Sequence, residues 1–234
     1  LILGQVGIQK RIFLKKQKQT DMKNGVVGLL ALVTMGIMAC DKDEPQMQAP
    51  LEVKTFANLP GDTTVSFSST GRPLGANKYT YFSLRENKIV AGADTLTNKW
   101  DIAFKQFYIK VNGGTSATGG GNAAVFLANN TLEGFSGITQ ADTSFKQDAA
   151  PSFAMNPAPG FWYSYNTATF LALPIPGKIF VIRTADNKYA KLEITSLYKD
   201  AILPDASASP VVKAKLQFFY HFRYVLQPNG TKLF

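Results

Sequence analysis

The 234-residue chain has one cysteine, Cys40, and one histidine, His221. A lone cysteine excludes an intrachain disulfide framework and a cysteine-rich zinc site. A lone histidine excludes a His-rich metal site, and any His-based catalytic triad would have to be built around His221. Charged residues are scarce at 18%, against 45% hydrophobic, which excludes a disordered chain or a coiled coil. No Gly-x-Ser-x-Gly elbow and no nucleophile–base pair at a recognisable spacing is present, so the sequence reads as a non-enzyme. A length of 234 residues is enough for one sizeable core.

The formal charge of +9 is unevenly spread. Residues 1–39 hold six bases (Lys10, Arg11, Lys15, Lys16, Lys18, Lys23) and one acid (Asp21), and the remainder carries only +4. No concentrated basic stretch is left, so nucleic acid is not an expected partner.

The N-terminal segment reads as an address. Met22-Lys23-Asn24-Gly25 leads into an apolar run from Val26 to Met38, which ends Ala39-Cys40. The run has the length of a signal-peptide core and falls short of the ~20 residues that span a bilayer. A small residue directly before a cysteine is the pattern of a lipobox, with cleavage before Cys40 and acylation of its thiol; the alternative is a short buried helix that ends in cysteine. Lipid chains of this kind anchor at about 0.8 kcal/mol per buried CH₂. The expected organisation is an upstream extension over 1–21, a lipoprotein signal over 22–39, a flexible tether over 40–55 and an all-β domain over 56–234.

Beyond residue 40, apolar residues recur with period two, as a half-buried antiparallel strand requires. Leu192 and Ile194 alternate with charges. Leu216, Phe218, Tyr220, Phe222, Tyr224 and Leu226 share one face of a strand predicted over 213–227, and His221 lies on the other with Gln217 and Arg223. Asp186-Asn187 predicts a two-residue hairpin between strands over 178–184 and 188–196, because both residue types tolerate positive φ. Pro228-Asn229-Gly230 predicts a turn before a last strand over 231–234. In Trp100–Val111 the apolar parity flips near Lys105-Gln106, which predicts a bulge. Ile179–Ile182 is apolar on both faces and predicts a central strand. Further strands are expected near 63–67, 79–84, 124–127 and 162–165. The glycines of 113–121 lack a Gly-Lys-Ser/Thr ending and read as a mobile hairpin loop, not a phosphate loop. Asp101 and Asp186 form no acid–base pair on this reading.

Five segments in order carry a resemblance: Lys99–Phe104, Gly113–Gly121, Phe161–Tyr165, Pro174–Leu192 and Phe222–Tyr224 with Gln227–Gly230. Their order and spacing resemble the HmuY-like haem-binding lipoproteins of Bacteroidetes over roughly residues 56–234. The resemblance implies a mainly β fold of two antiparallel layers with long loops, shaped somewhat like a hand. It implies haem, or a related tetrapyrrole, as cargo held in a cleft at the loop end by two axial side chains, for uptake through an outer-membrane transporter. The cluster Asp41-Lys42-Asp43-Glu44 fits equally a solvated acidic linker and the export signal of such surface lipoproteins. The implied location is the outer membrane, lipid-anchored and exposed at the cell surface.

Carried over residue by residue, the implied ligand set is incomplete. Where relatives show a histidine, near Thr167 or Phe170, this chain has none. The first ligand would fall in Ala149–Pro159, where Met155 offers a thioether to haem iron in a Pro/Ala-rich loop that is an unusual place for a core methionine; the alternative is a gap-filling hydrophobe. Phe161 and Trp162 would line the cleft around the ring, and Tyr163 and Tyr165 would ligate the iron as phenolates, flank the ring, or serve as ordinary strand aromatics. The expected cofactor-binding residues are therefore Met155, Trp162, Tyr163, Tyr165, Thr167 and Phe170, with Met155 as the iron ligand and Cys40 as the lipidation site. The competing reading is a surface lipoprotein of the same fold that binds a protein or a glycan and no haem.

Overall fold

The computed structural model describes residues 50–139 and 144–234. Cys40, the signal segment and most of the expected tether lie outside the described residues. The strands in chain order are β1 (Val53–Pro60), β2 (Ser66–Phe67), β3 (Pro73–Leu74), β4 (Thr80–Ser83), β5 (Lys88–Val90), β6 (Ile102–Lys105), β7 (Tyr108–Val111), β8 (Ala124–Asn129), β9 (Tyr163–Asn166), β10 (Leu171–Pro174), β11 (Lys178–Arg183), β12 (Tyr189–Tyr198) and β13 (Gln217–Gln227). They form a five-stranded sheet in the order β1-β13-β12-β11-β8, a four-stranded sheet in the order β5-β4-β6-β7, and the two hairpins β2-β3 and β9-β10. The paired strands are antiparallel, so the fold is mainly β with two principal layers, as expected. Among the described residues no helix is long and apolar enough to cross a membrane.

The main core sits between the two large sheets. Tyr220, Phe222 and Tyr224 of β13 alternate inward, as the period-two reading requires, and meet Phe82 of β4 and Phe104 of β6 at ring distances of 4.6 to 6.4 Å. Each such fully buried ring contributes roughly 1.5–3 kcal/mol of hydrophobic stabilisation. A second cluster covers the other face of the five-stranded sheet, where Phe135, Ile138 and Phe145 pack on Ala124, Ile179 and Val181. This explains why β11 is apolar on both faces: Phe135, Ile138 and Phe145 cover its second face. The strand is interior, but it lies next to the edge strand β8 rather than at the sheet's centre.

Several sequence expectations are corrected. The parity flip in 100–111 is a chain reversal, not a bulge. β6 and β7 pair across Gln106-Phe107, so Ile102 faces Val111 and Phe104 faces Ile109, all buried on one side. Gln106 takes a positive φ of 49° there, which hid a hairpin behind non-glycine residues. Five residues, Thr184 to Lys188, separate β11 from β12; the amide of Thr184 donates to the Lys188 carbonyl, so the tight loop inside that pair is Ala185 to Asn187, three residues and not two, with Asn187 at φ 63°. Residues 213–216 are helical, not extended. Ser209 caps the helix α1 (Pro210–Leu216) by accepting from the Val212 amide, and Pro210 starts it with a preset φ. Residues 231–234 make one isolated bridge, Gly137 to Leu233, instead of a strand, and of 63–67 only Ser66–Phe67 is extended and paired. β1 starts at Val53, so residues 53–55 belong to the sheet and not to the tether.

The glycine-rich loop joins strands of different sheets and is closely packed. A Cβ on Gly113 would lie 1.8 Å from the Ala123 carbonyl oxygen, and one on Gly114 would lie 2.0 Å from that of Asp148. These glycines serve close backbone approach.

Lys213, on α1, is buried and ties the β9–β10 hairpin to the rest of the domain. Its ammonium donates to the Thr169 carbonyl at 2.7 Å and the Ala206 carbonyl at 2.5 Å. Lys213→Met removes both charge-assisted bonds, and amide exchange over 163–174 is expected to quicken by about tenfold or more. Unchanged exchange in that hairpin would show that the lysine does not hold it.

Candidate functional site

An apolar-floored groove opens where four separate segments converge: the β2–β3 hairpin, the β6–β7 turn, β9 and the start of β13. Its volume is about 490 Å³, within the roughly 300–1,000 Å³ typical of small-molecule sites. The floor is aromatic. The Phe107 ring lies flat on Tyr163, centroids 4.2 Å apart and planes 3° from parallel, and Phe218 meets Phe107 edge-on at 4.9 Å. Tyr108 and Tyr165 line the wall and are solvent-exposed.

The floor is held by a backbone knot. The Gly61 amide donates to the Phe218 carbonyl at 2.7 Å, and the Gln106 amide donates to the Gly61 carbonyl at 2.6 Å. The Tyr220 hydroxyl donates to the Gln106 carbonyl. Phe218, like Gln106, has a positive φ, here 69°, an uncommon conformation for a bulky residue. Gly61 is needed at this point because a Cβ there would lie 2.6 Å from the Tyr220 ring. Two strained positions pinned by one glycine and one buried tyrosine keep the stacked pair in place.

Charge at the mouth is net positive. Arg72 and Lys105 line the groove beside the single acid Asp62. Lys105 donates to Asn77 Oδ1 at 3.0 Å and lies 5.6 Å from the centre of the Tyr108 ring. The Tyr163 phenol donates to the Pro157 carbonyl at 2.8 Å, and burial, with Tyr108 and Tyr165 nearby, pushes its pKa up to about 12. Gln217 also lines the groove, and its Nε2 is buried without a hydrogen-bond partner.

Of the sequence-predicted site residues, the structure brings Tyr163 and Tyr165 to this groove and leaves the others out. Met155 is 4% exposed and belongs to the main core, contrary to the expectation that a methionine in that loop would avoid it. Trp162 is 1% exposed and packs on Tyr163, Phe180 and Tyr220. Thr167 and Phe170 sit exposed in the turn between β9 and β10, away from the groove lining. His221 is buried in β13, where its Nε2 lies 3.1 Å from the Ala201 amide and 3.0 Å from Asn58 Oδ1; burial lowers its pKa. Among the described residues no three His, Cys, Asp or Glu side chains gather to hold a metal ion. Sequence reasoning missed Phe107, Phe218, Arg72 and Lys105. The parity flip at Lys105-Gln106 was the one available signal, since a two-residue turn would have put Phe107 at an exposed tip.

Residues 76–178 match the family described as HmuY protein. Over that stretch the chain is similar to the HmuY family. The matched stretch contains the β6–β7 turn and β9, and it ends before β12 and β13, whose motifs also entered the sequence resemblance. No curated protein matches the chain. Among solved structures, the apo PinO protein of Porphyromonas gingivitis is 14% identical, with a TM-score of 0.46 over 76% of this chain and 99% of its own. A Bacteroides vulgatus protein described as a HmuY-like heme binding protein is 12% identical, with a TM-score of 0.42 over 74% and 91%. A Bacteroides fragilis protein described as a lipoprotein is 14% identical, with a TM-score of 0.45 over 76% and 93%.

Proposed function

We propose that this HmuY-like chain is a binding protein, not an enzyme, that seats haem or a related tetrapyrrole as cargo in the groove between the β6–β7 turn and β9. The observation that carries the reading is the stacked Phe107–Tyr163 floor beneath a mouth that bears Arg72 and Lys105. A flat apolar ring covers such a floor and excludes water from it, while ring propionates meet the two cations. The same proposal places the protein at the outer membrane, anchored through an acylated Cys40 and exposed at the cell surface, where it hands cargo to an outer-membrane transporter. The order of basic residue, apolar run, small residue and cysteine supports that location. Nucleic acid is not a partner on this reading.

The test is an absorbance titration of the purified protein with haemin, in a Cys40→Ser background so that the thiol does not contribute. A saturable shift of the Soret band is expected. Arg72→Glu combined with Lys105→Glu should weaken it by about tenfold at low salt, because two rim attractions become repulsions. A titration indistinguishable from free haemin would overturn the reading. A second reading, docking of a protein or glycan without haem, is favoured by the exposed Phe161, Phe170 and Leu173 of the β9–β10 hairpin and its approach. Its mark would be partner capture lost on Phe170→Ser, with no haemin spectrum.

A further inference from the structure

The residues at the groove do not fit the iron of a haem as the two-ligand scheme requires. Among the described residues the only thioether is Met155 and the only imidazole is His221. Met155 is enclosed in the core and does not line the groove; His221 is held between Asn58 and the Ala201 amide and does not line it either. Of the phenols that do reach the groove, Tyr163 is already bonded to the Pro157 carbonyl. The exposed Tyr108 and Tyr165 are the other phenols of the lining, and Asp62 is its one carboxylate. Against this poor donor set stands a ring site: a stacked aromatic pair and two cations in the lining.

Resting on the groove reading above, we propose that the site recognises the tetrapyrrole by its ring face and its carboxylates, with no imidazole or thioether bond to iron, so that metal-free porphyrin dicarboxylates are ligands on a par with haemin. Ring stacking and carboxylate pairing are the same for both. A bond from a soft or nitrogen donor would favour the iron form alone.

The test compares protoporphyrin IX with haemin on the full chain carrying Cys40→Ser, read by porphyrin fluorescence and by Soret absorbance. The expected result is that the two dissociation constants agree within about tenfold. Met155→Leu and His221→Gln should leave the Soret position and both affinities as they are. Met155→Leu conserves side-chain volume and is expected to fold. Haemin binding with protoporphyrin more than about tenfold weaker, or a Soret shift in either variant, overturns this inference while leaving the groove as the haem site. Failure of both ligands to bind overturns the functional reading itself.

Discussion

Replacing Asp101 with alanine is expected to destabilise the domain by about 2–6 kcal/mol. The carboxylate is fully buried and accepts the Leu84 amide at 2.9 Å and the Ala185 amide at 2.8 Å. Leu84 follows β4 and Ala185 opens the β11–β12 loop, so this one side chain fastens the four-stranded sheet to the five-stranded sheet. Alanine strands two buried N–H donors, each costing about 1–3 kcal/mol. Asparagine can accept from only one of them and turns its NH₂ toward the other, so Asp101→Asn should show an intermediate loss.

The same residue gives a pH dependence. Burial raises the Asp101 pKa to about 6, against the opposing pull of its two amide bonds. The unfolded chain has a carboxyl near its ordinary ~3.9. Between those values the folded state binds the proton more tightly, so this group's contribution to stability falls as pH rises from about 4 to 6 and is level above that. Urea unfolding followed by the buried Trp100 and Trp162 reads both effects. A midpoint in Asp101→Ala equal to that of the parent, or an unchanged slope between pH 4 and 6, would refute the account.

Trp162 and Tyr165, three residues apart and once grouped as ring-flanking aromatics, are expected to behave oppositely. Trp162→Ala should cost about 3–5 kcal/mol, since the indole fills the core against Phe180 and Tyr220 and its loss leaves a cavity there. Any loss of haemin binding would then follow from the loosened Tyr163 beneath the ring. Tyr165→Ala, at an exposed wall position, should leave stability within about 0.5 kcal/mol and weaken haemin severalfold. Unfolding curves and titrations on the same two preparations separate these outcomes. Equal stabilities for the two variants would move Trp162 from the core to the groove.

The contrast shows how much of the site was legible beforehand. Tyr163 and Tyr165, which the resemblance also put beside the cleft, both line the groove, because residues two apart in β9 share one face and that parity is a local property of a pleated strand. Trp162 and Met155 were assigned to the same site on the strength of the resemblance, and the fold encloses them instead. Trp162 is enclosed against Phe180 of β11 and Tyr220 of β13, and Met155 lies in the same core cluster, which draws on strands separated in the chain. Phe107 was legible only as one more apolar residue in a run, because Gln106 adopts left-handed backbone without glycine to announce it. Phe218 was read as mid-strand, whereas the capped turn from Ser209 ends just before it and leaves it kinked at the groove.

The sequence by itself determined an antiparallel β protein, the inward faces of β12 and β13, and the exclusion of disulfide and His-rich metal chemistry, because alternation and composition are written residue by residue; the two-layer arrangement came only as an implication of the resemblance. Only the tertiary structure decided that a hairpin turn, a strand start and a β9 face meet in one aromatic groove, and that the expected thioether and imidazole stay out of it. Those outcomes depend on which sheet covers which and on where the backbone takes positive φ, and both are set by contacts between segments distant in the chain.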